Sequence, residues 1–261
     1  MIGIFDSGIG GLTVVKALTE QLPGYDILYF GDTARTPYGT KSPETVTRYA
    51  LRNAEFLLRK GAKLIIVACN TASSVATDQL TEKFDVPVFE VITPAAELSV
   101  KTSEKLRVGV IGTRATVNSG IYEKKIRAMN ADAKVWSVPC PLIVSLVEEG
   151  WLRKPETRMI IKKYLHPLKV RQIDTLILGC THYPVVKDII QRKIGKRVKL
   201  IDSSVAVAGK VKGFLEENPG KEALLSQTGK SLFFVSDITA QFEHTSKNIL
   251  RKKIRLEHVR I

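Results

Sequence analysis

The stretch LIIVACNTAS, residues 64–73, is a run of apolar residues that stops at a cysteine and passes directly into small polar residues. TLILGCTHYP, residues 175–184, repeats the arrangement around Cys180. Short apolar runs of this kind read as strands buried on both faces of a parallel sheet, and ligands of open α/β sheets gather at the carboxyl ends of such strands. Cys69 and Cys180 are therefore expected at strand tips, each where the following helix begins. A nucleophile or a base is useful there; a structural cysteine has no special reason to be.

Outward from these two stretches, apolar strand-like runs alternate with amphipathic segments, which predicts an α/β fold with parallel sheets. Nine strands are expected, at 2–5, 26–32, 63–69, 86–91, 107–112, 133–138, 175–180, 198–202 and 231–237. Helices are expected over 12–22, with Gly24 just beyond, and over 43–62, with Ser42 as N-cap, Pro43 at the first position and Gly61 as a stop. GIFDSG (3–8) and GVIGTR (109–114) both read as an opening strand followed by a small polar turn, and each is followed at similar distance by a cysteine strand. This suggests two pseudo-symmetric domains, each a mainly parallel sheet flanked by helices, with the active site in the cleft between them. The expected division is 1–92 plus 206–261 on the Cys69 side and 93–205 on the Cys180 side.

Length and composition narrow the class. The chain has 261 residues, 44% hydrophobic and 25% charged, ordinary values for a globular protein able to bury a large core. The opening MIGIFDSGIGG lacks a basic n-region, so no secretory leader is expected. No apolar run approaches the roughly 18 residues of a membrane helix, and no membrane partner is expected. Three cysteines, an odd and small number, argue for free thiols and a cytoplasmic location rather than a disulfide framework. The net charge of +14 gathers in RMIIKKYLHPLKVRQ, KDIIQRKIGKRVK and KNILRKKIRLEHVRI. These stretches read as solvated helix faces with a general attraction for anions. The alternative, nucleic-acid contact, is weakened by the lack of interleaved aromatics and of any zinc-finger or RNA-binding signature.

Around the thiols, the turn DSGIGG has glycines at 8, 10 and 11 but Thr13 where a third dinucleotide-type glycine belongs. Asp6 would repel a pyrophosphate there. A tight turn bringing Asp6 and Ser7 to the sheet edge is the better reading, with the carboxylate suited to a cationic amine. Pro37, Tyr38 and Gly39 form a rigid turn after a strand, at the ligand edge. Asn70, Thr71, Ser73 and Ser74 after Cys69, and Thr181 and His182 after Cys180, supply hydroxyl, amide and imidazole groups for holding a carboxylate. A helix N-terminus is expected to lower the pKa of each thiol, with His182 near enough to help set the protonation state of Cys180. Cys140, in VPCPL, lacks such a polar cluster and reads as packing.

A redox pair normally shows C-x-x-C spacing, a zinc site needs about four ligands in paired spacings, and a cysteine hydrolase leaves the second thiol without a task. Two acid–base groups on opposite faces of a small ligand account for both. No metal and no cofactor is expected.

DSGIGGLTVV (6–15), YFGDTARTPYG (29–39), ACNTAS (69–74), LVEEG (146–150), LGCTHYP (178–184) and IDSS (201–204), in this order, resemble the glutamate racemase family within the aspartate/glutamate racemase group. The resemblance implies cofactor-independent interconversion of L- and D-glutamate, supplying D-glutamate for peptidoglycan, with Cys69 and Cys180 as the two acid–base groups. It implies substrate contacts at Asp6, Ser7, Pro37, Tyr38, Gly39, Asn70, Thr71, Thr181 and His182. It also implies assistance of Cys69 by Asp6 and of Cys180 by His182, and a nearby glutamate for which Glu148 is preferred over Glu149. A homodimer is implied as well. Some members interact with DNA gyrase, which the basic charge alone does not establish here. Some carry an N-terminal extension that binds an activator; this chain opens at its first strand, so that regulation is not expected. A racemase of aspartate or another amino acid, a cysteine hydrolase and a basic nucleic-acid-associated protein remain as rivals.

Overall fold

The computed structural model describes residues 1–261. In chain order the elements are β1 (Ile2–Asp6), α1 (Leu12–Gln21), β2 (Ile27–Gly31), α2 (Pro43–Arg59), β3 (Leu64–Val67), α3 (Asn70–Lys83), β4 (Val88–Glu90) and α4 (Ile92–Thr102). There follow β5 (Arg107–Gly112), α5 (Arg114–Asn118), α6 (Ile121–Met129), β6 (Lys134–Pro139), α7 (Pro141–Glu148), α8 (Pro155–Val170), β7 (Thr175–Gly179), α9 (Lys187–Ile194) and β8 (Lys199–Asp202). The chain closes with α10 (Ser203–Glu217), α11 (Pro219–Glu222), β9 (Ser231–Val235), α12 (Ala240–Leu250) and β10 (Leu256–His258).

The strands form two sheets, ordered β10-β9-β2-β1-β3-β4 and β6-β5-β7-β8. Every pairing in both is parallel. The run β2-β1-β3-β4 of the first sheet has the same order as β6-β5-β7-β8 of the second, so the repeat read faintly from sequence is a repeat of topology. In each sheet the order reverses at the central opening strand, β1 or β5. Such a switch point leaves a crevice at the carboxyl edge. Asp6 ends β1 and Cys69 follows the neighbouring β3 in the first sheet; Thr113 and Cys180 follow the equivalent pair, β5 and β7, of the second.

Strands β1, β2, β3 and β7 are buried along their whole length, the physical counterpart of their uninterrupted apolar sequences. Helix α2 begins as its caps dictate: the Ser42 hydroxyl accepts from Thr45 N at 3.3 Å, and Pro43 occupies the first turn. It stops at Arg59, before Gly61, whose φ of +94° carries the chain out of the helix. The two sheets share one apolar cluster, in which Ile4 and Ile66 join Val110 and Ile177 through Ala95 of α4 and Val207 and Val211 of α10. That common core sets how the two carboxyl edges face each other.

One strand was missed. β10 lies within the basic C-terminal stretch and pairs with β9 at Leu256↔Phe233. Only three residues long and flanked by charges, it has no readable period of its own; it forms because β9 leaves an edge open.

Candidate active site

Cys69 directly precedes α3 as its N-cap residue, as expected. Cys180 differs. It follows β7 but leads into a turn and a short 3-10 segment, Tyr183–Val186, with α9 starting only at Lys187. The expected helix N-terminus is therefore present at Cys69 alone; Pro184 breaks the local pattern on the other side.

Both thiols line one small cavity, with Ser7, Pro37, Tyr38, Gly39, Asn70, Thr71, Thr181 and His182. It is too small for a dinucleotide. The remaining lining residues, Thr113 and Val144, were not singled out in the sequence. Thr113 had a signal, since GVIGTR was recognised as the counterpart of GIFDSG; Val144, an apolar residue on an amphipathic helix, had none. A wider groove between α1, the start of α8 and α9 touches neither sulfur.

Asp6 is fully buried. Its Oδ2 accepts from Gly8 N at 3.0 Å and Gly11 N at 2.9 Å, and its Oδ1 accepts from the Thr181 hydroxyl at 3.3 Å. The glycine turn thus spends these N–H groups on its own carboxylate, leaving neither for a phosphate. Asp6 does not line the cavity and reaches it through Thr181. Burial raises the Asp6 pKa, against the nearby His182 and these hydrogen bonds.

The Cys69 thiol lies 3.7 Å from the Ser7 hydroxyl. Its pKa is pushed up to about 12, by burial first and by the Asp6 carboxylate second. This reverses the expectation of a lowered value: the Ala72 N–H at the helix start acts in the expected direction but is outweighed. On the other side, Cys180 Sγ lies 3.7 Å from His182 Nδ1, and His182 Nε2 lies 2.6 Å from Glu148 Oε1. Burial would lower the His182 pKa, but bonding to Cys180 and Glu148 overcomes it and holds the value well above 6.5. Glu148 ends α7 and is the carboxylate that meets the imidazole; Glu149, the next residue, is an exposed C-cap. Neither Glu148 nor Asp6 touches the cavity directly.

Hydroxyls close the far side. Thr71 Oγ1 lies 2.9 Å from Thr113 Oγ1 and 3.3 Å from Thr116 Oγ1. Asn70 accepts from the Tyr122 hydroxyl at 2.7 Å and donates to Ser203 at 3.5 Å. The Tyr38 hydroxyl donates to the buried Asp32 and accepts from Asn53 at 3.0 Å, so its ring, not its OH, is offered to the cavity. Asp32 holds this loop in place and escaped the sequence reading because it stands in the YFGDT strand end without a distinguishing neighbour. Cys140 is buried against the Cys180 side, with Sγ 3.5 Å from Val138 O, and does not line the cavity.

Two parallel-sheet domains face each other across a small pocket lined by a thiol from each, the arrangement of an isomerase with one small substrate. The chain belongs to the Asp/Glu/hydantoin racemase family, whose model matches residues 2–211. It is 46% identical to the glutamate racemase of Geobacter metallireducens over 255 residues, 97% of this chain and 93% of that protein. Among solved structures it is similar to a glutamate racemase isoform from Bacillus anthracis, with TM-score 0.94 and 35% identity, covering 100% of this chain and 97% of that one. It is also similar to the Francisella tularensis glutamate racemase in complex with D-glutamate, with TM-score 0.90 and 41% identity over 99% and 97% of the two chains.

Proposed function

We propose that this chain interconverts L- and D-glutamate, and that Cys69 and Cys180 serve the two faces of the α-carbon. The observation that carries this reading is a single small cavity lined by both Cys69 and Cys180. As thiolate, one sulfur removes the α-proton; the opposite thiol delivers a proton to the other face, and the roles exchange for the other enantiomer. Confinement between them supplies the orientation. In this reading Cys69 rests protonated, held neutral by burial and by Asp6, and the field of a bound substrate's ammonium reaches Asp6 across Thr181. That cation offsets the carboxylate and lowers the cost of a Cys69 thiolate. His182, charged through neutral pH, attends Cys180 in turn, oriented by Glu148.

Ser7, Asn70, Thr71 and Thr181 are assigned to the substrate's polar groups, and Pro37, Tyr38 and Gly39 to one wall. We take residues 1–92 with 206–261 as one domain and 93–205 as the other, supported by the origin of the strands in each sheet. Homodimer formation and a cytoplasmic location belong to the same reading; no helix is long and apolar enough to cross a membrane. The test is racemisation in D₂O. Both enantiomers should acquire α-deuterium, and Cys69→Ser and Cys180→Ser should each reduce turnover by at least about a thousand-fold. Full turnover by either variant would leave a single base and sink the two-thiol scheme. A panel of L-amino acids separates glutamate from aspartate as substrate.

A further inference from the structure

Of the net charge of +14, +10 lies in residues 153–199, where 13 lysines and arginines meet only Glu156, Asp174 and Asp188. The fold gathers much of this charge onto one face, because α8 and α9 pack side by side. Arg158, Lys162, His166 and Lys169 of α8 stand at four-, four- and three-residue steps, on one stripe of the helix. With Arg192 and Lys193 of α9 they line adjoining grooves that contain no carboxylate. Among the 13 cations only Lys187 has an ion-pair partner, Asp202 at 3.6 Å. Unpaired like charges crowded on one face repel one another, a cost that a partner of opposite charge would relieve.

Beside this stripe stand the two most exposed large apolar side chains of the protein, Met159 at 65% and Val170 at 66%. Both occur on α8 at positions that share a face with His166. Trp151, 44% exposed, precedes the helix by four residues. Lysine and arginine interleaved with outward apolar side chains, with a tryptophan at the margin, is the composition of a helix lying in a lipid interface.

We propose that the α8/α9 face docks on the surface of an anionic phospholipid bilayer. Its cations meet headgroup phosphates while Met159 and Val170 enter the interfacial layer. Such peripheral contact lies outside the expectation of no membrane partner, which rested on the lack of a spanning helix. A nucleic acid fits less well. The exposed side of α8 offers no Ser, Thr, Asn or Gln to base edges, and its outermost apolar side chains would face phosphate. A second copy of this chain would set two strongly positive faces against each other.

The test is co-sedimentation of the full chain with vesicles containing phosphatidylglycerol, with pure phosphatidylcholine vesicles and a random-sequence DNA duplex in parallel. Binding is expected to phosphatidylglycerol and not to phosphatidylcholine, weakening as salt rises. Replacing Lys162, Lys169 and Arg192 together by Ala should weaken it about five-fold per cation, roughly a hundred-fold in all. The pair Met159→Ser and Val170→Ser should weaken vesicle binding several-fold and leave any DNA binding unchanged. Both variants alter exposed side chains remote from the cavity and should racemise as the parent does, which verifies their folding. Absence of phosphatidylglycerol binding overturns the proposal, as does binding insensitive to either variant. Duplex binding stronger than vesicle binding would instead mark the face as a nucleic-acid surface.

Discussion

Cys69 and Cys180 occupy matching strand ends in different electrostatic settings, a buried carboxylate beside one and an imidazole–carboxylate pair beside the other. The pH behaviour should follow the second. The His182 pKa is raised above 6.5 by Cys180 and Glu148, so the imidazolium is fully present below that ordinary value and is lost as pH rises through the raised one. Glu148→Gln removes one of the two raising partners. The basic limb of the kcat/KM profile should move to lower pH, with a loss of about 10- to 100-fold at neutrality. A profile unmoved by the substitution would make Glu148 a structural contact only. Gly10 offers a steric test: a Cβ there would come within 2.7 Å of His182 Nδ1 and strike the Thr181 hydroxyl as well. Gly10→Ala should lower turnover by about a hundred-fold or more while the circular dichroism spectrum stays native.

At the scale of elements, Asp26 links the start of β2 to the segment that leads into β9. Its Oδ1 accepts from Thr228 N at 2.9 Å, the Thr228 hydroxyl at 2.8 Å and Lys230 N at 3.0 Å. Burial opposes ionisation of Asp26, but hydrogen bonds from Ser226, Thr228 and Lys230 prevail and lower its pKa from 3.8 to about 2. A depressed pKa contributes stability that is complete above about pH 4 and is lost as pH falls through about 2. Asp26→Ala should cost about 1–2 kcal/mol at neutral pH and flatten the acid limb of the unfolding curve over that window. Urea midpoints measured from pH 2 to 7 decide it. The elements themselves were largely legible. Helix α2 announced its start by Ser42 and Pro43, and β1, β3 and β7 by unbroken apolar runs, because caps and burial on two faces are local demands. What could not be read was β10, whose pairing depends on an edge offered by a strand over 20 residues earlier, and the turn after Cys180 where a helix was expected.

At the scale of the molecule, the halves meet through hydroxyls as well as through the shared core. Thr71 and Thr113 come from opposite sides of the cleft and bond at 2.9 Å, and Gly39 packs so closely that a Cβ there would lie 2.6 Å from Thr113 Cβ. Thr71→Val and Thr113→Val should each destabilise the fold, and the double variant by less than their sum, with a coupling of about 1 kcal/mol in denaturant unfolding. Strict additivity would mean that the two hydroxyls do not act together across the interface.

The residue order alone determined the parallel α/β plan, the strand-end positions of Cys69 and Cys180, and the polar clusters beside them, because periodicity, caps and turn chemistry operate over a few neighbours. The folded arrangement decided that tips 111 residues apart open on one cavity, that Glu148 meets His182, and that Thr113 completes the wall. It also decided that Cys69 is a guarded thiol rather than an activated one. Burial and the field of Asp6 come from distant segments brought together, and no local pattern records them.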